Sequence, residues 1–432
     1  MIVKTVVRPE TEMKNSGIDW ISSIPKDWKI PQVRNFFEIN RGRVIAKTEI
    51  NELYKEGLFP VYSSQTKDNG CMGYIDSYDF EKEGLTWTTD GAYAGTVFYR
   101  KGKYNCTNVC GILTLKDGFD VSVPFCKYSI GWSAMNCRRA DINGYKIMSN
   151  EMAAIKFVMP PLSEQQAIAD YLDETCSKID EIIAEAKASI DEYENLRQSI
   201  IYEILTKGPD DNVEMKDSGV EWIGKVPSHW MIGKVKYGTT KVGSGKTPKG
   251  GAEVYMTSGV MFLRSQNIYN DGLRLDNPYY ISEEIDEEMK NTRVQKNDVL
   301  LNITGGSIGR CCIFDGSIPN ANVNQHVCII RVNSSVFLPE YMHLFWISLI
   351  GQISIKSYQT GGNREGMSAE AIKNTPIPII PIGEQRKIVD LIKPKIDDFN
   401  SLIAEKESLI NDLEAYKKSL IYEVVTGKRR VV

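Results

Sequence analysis

The sequence predicts a mixed α/β (α+β) fold in which two modules are joined by two long antiparallel coiled-coil helices with pseudo-twofold symmetry. Three observations lead to this prediction. A segment with two tryptophans occurs twice, a long amphipathic segment occurs twice, and the chain between these repeats consists of short apolar runs separated by Gly, Asn and Asp. Internal repetition indicates the architecture of a chain before any single element is assigned.

The first repeat has the pattern W-I-x-x-[IV]-P-x-x-W. KNSGIDWISSIPKDWKI at residues 14–30 returns as KDSGVEWIGKVPSHWMI at residues 216–232. A longer pair aligns without a gap at residues 161–206 and 381–426. The chain therefore alternates between modules and helices, with module A at 1–160, the first long helix at 161–207, module B at 208–380 and the second long helix at 381–428.

Both long segments have the periodicity of an amphipathic helix. Apolar residues recur at steps of three and four, as at Ile168, Leu172, Ile179 and Ile183. Each helix would hold about 44 residues and would measure ~66 Å at a rise of about 1.5 Å per residue.

Proline and capping residues mark the helix ends. Pro161 and Pro381 end the preceding chain, and Ser163 with Gln166 has the spacing of a capping box. Pro394 lies inside the second helix and has no counterpart in the first. We expect it to kink the second helix or to separate its first turns.

A long helix with one apolar stripe must cover that stripe, and the other copy is the nearest candidate. Because the first helix leads from module A to module B and the second leads away from module B, antiparallel packing would return the second helix to module A. This arrangement predicts a closed, pseudo-twofold body. Two unrelated surface helices in separate domains are the alternative.

The modules are expected to be mixed α/β domains, each with a strongly bent sheet. Short apolar runs are typical of strands when Gly, Asn and Asp separate them. The run LPEYMHLFWISLI at 338–350 is instead helical in pattern. The strand-like runs include FPVYSSQ, GLTWTTDGAYAGTVFY, VMFLRSQNI, DVLLNITGGSIGRCCIF and NVNQHVCIIRV.

The composition is that of a globular protein, because 42% of the 432 residues are hydrophobic and 25% are charged. The start of the chain lacks the apolar region and cleavage site of a signal peptide, and no stretch has the ~20 apolar residues of a membrane span. We therefore expect a cytoplasmic protein. Its nine cysteines form no C-x-x-C pair and are expected to be reduced thiols rather than metal ligands.

Motifs for catalysis and nucleotide binding are incomplete. GSGKT at residues 243–247 ends like a phosphate-binding loop, but Thr240 stands where its first glycine is required. TGGSIG at residues 304–309 does not form G-x-G-x-x-G. Metalloprotease, serine-hydrolase and DNA-methyltransferase motifs are missing from the sequence. The expected activity is binding, with no catalytic residue in this chain.

The double frame resembles the specificity (S) subunit of type I restriction-modification systems. In that family each module is a target recognition domain, introduced by the tryptophan segment and followed by P-x-x-E-Q and a long helix that ends near S-[IL]-I-Y-E. FPVYSSQ, GYIDSYDFEKEGL and GAYAGTVFYRKGKY make module A similar to one sub-type of these domains. Module B is similar to another sub-type through GKTP, RSQNI, DVLLNITGGSIGR and NVNQHV.

The resemblance implies a non-catalytic subunit that recognises a bipartite, asymmetric target in double-stranded DNA. The two helices would set the spacer and dock two methyltransferase (M) subunits, which bind S-adenosylmethionine and methylate adenine. Restriction/translocase (R) subunits would add translocation and cleavage that depend on ATP and Mg²⁺. This chain itself is expected to bind no cofactor, no metal ion and no membrane.

Candidate DNA-binding residues are polar or basic side chains in the turns of both modules, because such side chains contact base edges and phosphates. Any of them could instead be a solvated loop residue or a turn cap. Trp20, Trp28, Trp222 and Trp230 are expected to pack at the module entrances rather than to stack on bases. The candidates are Arg41, Arg43, Ser63, Ser64, Gln65, Lys67, Arg138 and Arg139 in module A, and Lys246, Thr247, Arg264, Ser265, Gln266, Asn267, Thr304, Gln359, Thr360, Asn363 and Arg364 in module B.

The net charge of −4 at first argues against a nucleic-acid partner. Most of the acidic excess lies on the long helices, since residues 161–206 carry 3 basic and 11 acidic side chains. Module A has a small positive excess and module B is neutral, so the isolated chain is expected to bind DNA weakly. A self-contained enzyme and a coiled-coil scaffold without a DNA role are the alternative classes.

Overall fold

The computed structural model describes residues 5–142, 144–210, 212–358 and 366–431. The chain forms two compact units. Unit 1 comprises Met1–Ala186 with Ser408–Val432, and unit 2 comprises Lys187–Glu407. Each unit therefore contains one module together with parts of both long helices.

Unit 1 holds short strands around one medium-length helix. Its helices are α1 Val33–Phe36, α2 Val123–Cys137, α3 Ser149–Ala154 and the first part of α4 Leu162–Lys207. Its strands are β1 Thr5–Val7, β2 Met13–Ile18, β3 Ile21–Pro25, β4 Phe37–Arg41, β5 Phe59–Tyr62, β6 Cys71–Ile75, β7 Gly84–Thr88, β8 Asp90–Gly91, β9 Val97–Arg100, β10 Asn105–Cys106, β11 Cys110–Leu115, β12 Arg139–Asp141, β13 Gly144–Lys146 and, from the end of the chain, β27 Arg429–Val431.

Unit 2 is built in the same way. Its helices are the last part of α4, α5 Glu283–Glu288, α6 Pro339–Ile347, α7 Leu349–Tyr358, α8 Ala369–Asn374 and the first part of α9 Ile382–Val425. Its strands are β14 Met215–Asp217, β15 Lys225–Pro227, β16 Met231–Lys234, β17 Thr239–Ser244, β18 Val260–Leu263, β19 Ile268–Tyr269, β20 Gly272–Leu273, β21 Tyr280–Ile281, β22 Val299–Asn302, β23 Cys311–Ile313, β24 Ala321–Val323, β25 Val327–Val332 and β26 Pro376–Ile379.

The two modules share one sheet topology although their sequences differ. Unit 1 has a four-stranded antiparallel sheet in the order β4-β11-β7-β9, and unit 2 has its equivalent in the order β17-β25-β22-β23. A second, three-stranded sheet has the order β10-β5-β6 in unit 1 and β24-β18-β21 in unit 2. In each smaller sheet the central strand pairs in parallel with one neighbour and antiparallel with the other. The predicted mixed α/β modules are confirmed.

A helix packs against each larger sheet and closes the core. In unit 1, α2 packs on β7 and β9, and β7 is buried along its whole length, as expected of a central strand covered on both faces. In unit 2, α6 packs on β22, β23 and β25. The core of unit 2 continues from this sheet to Ile201 and Leu205 of α4 and to Ile388 and Ile392 of α9.

The long helices pair within each unit, as predicted. In unit 1, the Lys417 ammonium donates to both carboxylate oxygens of Asp180 at 2.6 Å. In unit 2, Arg197 donates to the side-chain oxygen of Asn400 at 2.6 Å, and the ring centroids of Tyr193 and Phe399 lie 6.3 Å apart. Because α4 begins and α9 ends in unit 1, while α4 ends and α9 begins in unit 2, the helix parts in each unit run antiparallel.

Two helical features bear on the sequence prediction. Of the two outcomes expected for Pro394, separation of the first turns of α9 is wrong, since the helix is continuous from Ile382 to Val425, while a kink stays a prediction. Pro394 and the residue four positions earlier, Asp390, are exposed, so water can satisfy the carbonyl that loses its intrahelical donor. The run at 338–350 is divided at Ser348, whose hydroxyl donates to Phe345 O at 2.6 Å.

The second tryptophan of each repeated segment packs against the ends of the long helices. Trp230 is fully buried, and its indole N–H donates to Glu384 at the start of α9 at 2.8 Å. Trp28 is equally buried, and Arg8 lies over its ring while also bonding Glu164 at the start of α4. These two tryptophans therefore pack at the module entrances, as predicted.

Candidate nucleic-acid interface

In each unit the first strand of the larger sheet is followed by a glycine that lies against the smaller sheet. Gly42 follows β4, and Gly245 follows β17. A Cβ on Gly42 would lie 2.0 Å from Cys106 O, and one on Gly245 would lie 2.0 Å from Val323 O. Only glycine permits so close an approach of two backbone segments.

A basic residue follows each of these glycines and is positioned by the same backbone bond. The amide of Arg43 donates to Cys106 O at 3.1 Å, and that of Lys246 donates to Val323 O at 3.3 Å. The Arg43 guanidinium also pairs with Asp79 at 2.9 Å. Lys246 is exposed, and no described residue accepts a hydrogen bond from its ammonium.

The loop after the central strand of each smaller sheet meets the loop after its parallel neighbour. The amide of Thr107 donates to Tyr62 O at 2.9 Å, and the amide of Asn324 donates to Leu263 O at 3.0 Å. The residues after these carbonyls, at 63–65 and 264–267, therefore lie beside the loops at 107–109 and 324–326.

A third loop has the same hydrogen bonds in both units. It follows β7 in unit 1 and β22 in unit 2. In each case one backbone amide closes a turn by donating to the carbonyl seven residues earlier. The start of this loop also pairs with a further segment, which is residues 146–147 in unit 1 and residues 366–367 in unit 2. The turn is closed by Gly95 N to Thr88 O in unit 1 and by Gly309 N to Asn302 O in unit 2. The added segment is held by Ile147 N to Thr89 O in unit 1 and by Met367 N to Ile303 O in unit 2, and all four bonds are 2.9 Å long.

We call the place where these loops meet the loop corner of each unit. The loop corner of unit 1 is formed by residues 42–43, 63–65, 88–91, 107–109 and 146–147. The loop corner of unit 2 is formed by residues 245–246, 264–267, 302–305, 324–326 and 366–367.

Several candidates in unit 1 brace its loop corner. The Ser63 hydroxyl accepts from Thr107 at 2.9 Å, and the Ser64 hydroxyl accepts from the amide of Thr89 at 3.1 Å. The Gln65 amide donates to Cys71 O at 2.6 Å. Ser63 and Ser64 thus link their loop to two neighbouring loops, and Gln65 caps its own turn. Contact of these side chains with DNA stays a prediction.

The other candidates of unit 1 lie beside its loop corner. The Arg138 guanidinium stacks on Tyr145 at 3.9 Å, and the Arg139 guanidinium pairs with Glu151 at 2.8 Å. Arg41 donates to the Ser149 hydroxyl at 3.2 Å. The Lys67 side chain is exposed and has no hydrogen-bond acceptor in the described part of unit 1.

In unit 2 the candidate residues are of two kinds: one caps a turn, and others have side chains without hydrogen-bond partners among the described residues. Asn267 is buried, accepting from the Arg264 amide at 2.9 Å and donating to Arg274 O at 2.8 Å, so it is a turn cap. Gln266 and Thr247 are exposed and lack side-chain partners among the described residues, as does the half-buried hydroxyl of Ser265. The candidates Gln359, Thr360, Asn363 and Arg364 lie outside the described residues.

Thr304 is held in the loop corner of unit 2 by a histidine that the sequence analysis did not select. Thr304 Oγ1 lies 2.5 Å from His326 Nδ1, and the Gln325 amide nitrogen lies 2.8 Å from His326 Nε2. Because the amide nitrogen can only donate, Nε2 accepts and Nδ1 donates to Thr304. The NVNQHV segment contains both Gln325 and His326, and its polar run at the end of a strand was the available signal.

Asp90 occupies the position in unit 1 that Thr304 occupies in unit 2, and it was also missed. Its carboxylate accepts from the Thr89 hydroxyl at 2.7 Å and pairs with Lys146 at 3.0 Å. Partial burial by itself would raise the pKa of Asp90, but these bonds outweigh burial and lower the pKa from its ordinary value. The loop corner of unit 1 thus presents a carboxylate where unit 2 presents a hydroxyl.

The described residues contain no cluster of three or more His, Cys, Asp or Glu side chains that could hold a metal ion. Within the same residues, no helix is both long enough and apolar enough to span a membrane.

Comparison with known proteins identifies the family. The model of the type I restriction modification DNA specificity domain matches residues 25–192 and 227–412. The putative type I specificity subunit S.MpnORF285P of Mycoplasma pneumoniae is 38% identical over 174 residues, which are 38% of this chain and 55% of that protein. The specificity subunit of the Escherichia coli type I restriction enzyme EcoBI is 21% identical over 436 residues, covering 96% of this chain and 89% of that protein.

The matches to the Mycoplasma relatives are partial, spanning between 42% and 76% of the length of those compared. A chain from a structural study of the assembly and conformational transition of a type I restriction-modification system shares the fold. It covers 93% of this chain and 98% of its own length with a TM-score of 0.65 and 12% identity. The chain therefore belongs to this family: it is a non-catalytic DNA specificity subunit of a type I restriction-modification system.

Proposed function

We propose that the chain binds double-stranded DNA at a bipartite, asymmetric target and that the loop corner of each unit contacts one half-site. One observation carries this proposal: the two loop corners are built from equivalent backbone bonds in modules with dissimilar sequences. Retention of the bonds supports one task for both corners. The difference in the side chains supports a different base sequence for each.

The chemistry of the loop corners suits nucleic acid. Exposed lysines such as Lys67 and Lys246 supply cations for phosphates, which position a protein on the duplex. Hydroxyls, amides and carboxylates supply donors and acceptors for base edges. Asp90 in unit 1 and Thr304 in unit 2 stand at equivalent positions, so the two half-sites are expected to differ and the whole target to be asymmetric.

The long helices are proposed to set the distance between the half-sites and to dock the partner subunits. Their surfaces carry most of the acidic excess of the chain, which suits protein contacts held away from phosphates. The partners are two methyltransferase (M) subunits, which bind S-adenosylmethionine and methylate adenine, and restriction/translocase (R) subunits, which use ATP and Mg²⁺. The assembly is proposed to act in the cytoplasm, where it meets DNA.

Reading methylated adenines across a genome tests this proposal. The chain is co-expressed with its M subunits in a host that lacks adenine methylation, and the M subunits alone serve as the control. We expect methylation at one motif made of two unlike half-sites separated by a fixed number of unspecified bases, and only when this chain is present. Methylation without this chain, or at a continuous motif, would contradict the proposal.

A further inference from the structure

Arg264 in unit 2 is held in place by two tyrosines. Its guanidinium carbon lies 3.6 Å from the centroid of the Tyr279 ring and 5.9 Å from that of Tyr255. The two rings meet edge to face, with centroids 5.2 Å apart. Stacking on an aromatic face fixes the plane of a guanidinium and reduces the rotamer freedom that binding would otherwise remove.

The donors of Arg264 are unused. Its Nε is buried without a hydrogen-bond partner, and in the described part of the chain no acceptor bonds either terminal nitrogen. Arg274 and Arg293 of unit 2 differ from Arg264, since Arg274 pairs with Asp271 and Arg293 pairs with Asp286, at 2.6 and 2.7 Å. A guanidinium has five donors and keeps its charge at every physiological pH, so a fixed guanidinium without protein acceptors has donors available to a ligand.

The backbone around Arg264 is fixed as well. The amide of Arg264 is capped by Asn267 at 2.9 Å, and the carbonyl of Ser265 accepts from the Asn302 side chain at 2.7 Å. Arg264 therefore lies at a fixed point of the loop corner, directly after β18. Because the two terminal N–H donors of Arg264 need not move when a ligand binds, they favour a ligand whose acceptors match their fixed positions.

We propose that Arg264 reads a guanine in the half-site contacted by unit 2, with its terminal nitrogens donating to O6 and N7. This proposal rests on the proposed function. Two coplanar donors match these two acceptors, and no other base offers that pair in the major groove. A phosphate could also accept both donors, but phosphate contacts do not require a fixed side chain, and the exposed Lys246 is available for them.

The test uses the complex of this chain with its M subunits and two variants, Arg264→Gln and Arg264→Lys. Arg274→Gln is the matched control, because Arg274 pairs with Asp271 in its own turn and lies over Tyr269. Methylation rates and binding constants are measured on duplexes that carry each of the four bases at every position of the half-site of unit 2. Thermal unfolding shows whether each variant is folded.

We expect the wild-type half-site of unit 2 to contain a required guanine. Arg264→Gln should lower the preference for guanine at that one position by roughly 10- to 100-fold, which is the discrimination typical of a bidentate pair. Preferences at other positions and in the other half-site should not change. Arg264→Lys should lose part of this preference, and Arg274→Gln should retain it.

Three results would overturn the inference. A half-site of unit 2 without a required guanine would exclude the assigned base. A uniform loss of affinity on all sequences would assign Arg264 to a phosphate, and unchanged binding would show that it does not contact DNA. If wild-type complex with active M subunits methylated no specific site, the proposed function would fail instead.

Discussion

The side-chain oxygen of Gln385, in the first turn of α9, accepts a hydrogen bond from the backbone amide of Leu338 at 2.8 Å. Leu338 caps α6, so its amide has no partner within that helix. In unit 1, Gln165 of α4 accepts from the amide of Ser122, which caps α2, at 2.9 Å. The glutamine of P-x-x-E-Q thus joins each long helix to the helix that packs on the larger sheet of the same unit.

Replacing one of these glutamines should destabilise its unit. Gln165→Leu keeps a similar volume but leaves the buried amide of Ser122 unpaired, and an unsatisfied buried donor costs about 1–3 kcal/mol. Chemical denaturation measures the loss. Gln166→Leu, at the next and exposed position, is the control, and an equal effect of the two substitutions would contradict this role for Gln165.

A glycine substitution tests the close approach at the loop corner of unit 2. Gly245→Ala places a Cβ against Val323 O, so we expect a loss of about 1–3 kcal/mol in the free energy of unfolding. Methylation of targets that contain the half-site of unit 2 should also decrease in this variant. Gly243→Ala, two residues earlier in β17, is the control, because a Cβ there meets nothing within 4 Å. Equal stability of both variants would count against the close approach.

A lysine substitution separates phosphate contacts from base reading. Lys246→Gln in the assembled complex should weaken binding by a similar factor on all sequences and reduce the slope of log K against log salt by about one. The methylated motif should stay the same. Lys290→Gln, which removes a surface partner of Glu287, is expected to leave the slope unchanged. A changed motif in the Lys246 variant would assign that residue to a base instead.

The repeats in the sequence predicted the modules, the long helices and their pairing. They did not predict that both modules share one topology, because the common features are backbone bonds and not side chains. Gly42 and Gly245 illustrate this, since they are equivalent in the structure but stand in unlike sequences. Ser64 and Asn267 are loop residues as expected, but the sequence did not predict the bonds of their polar atoms. Ser64 accepts from the Thr89 amide of another loop, and Asn267 caps the Arg264 amide of its own turn.

Shortening both long helices should shorten the target. Removing four residues from the middle of α4 and four from the facing part of α9 shortens the pair by ~6 Å. At about 3.4 Å per base pair, the spacer between the half-sites should lose about two base pairs. The methylated motif gives the spacer directly. An unchanged spacer in a complex that still methylates would show that the helices do not set it.

The central claim is that each unit contacts one half-site independently. It is tested most directly by replacing residues 31–160 with the equivalent module of a relative and reading the methylated motif of the complex. The account predicts that one half-site changes while the other half-site and the spacer stay as they were. A change of both half-sites together, or of neither, would contradict it.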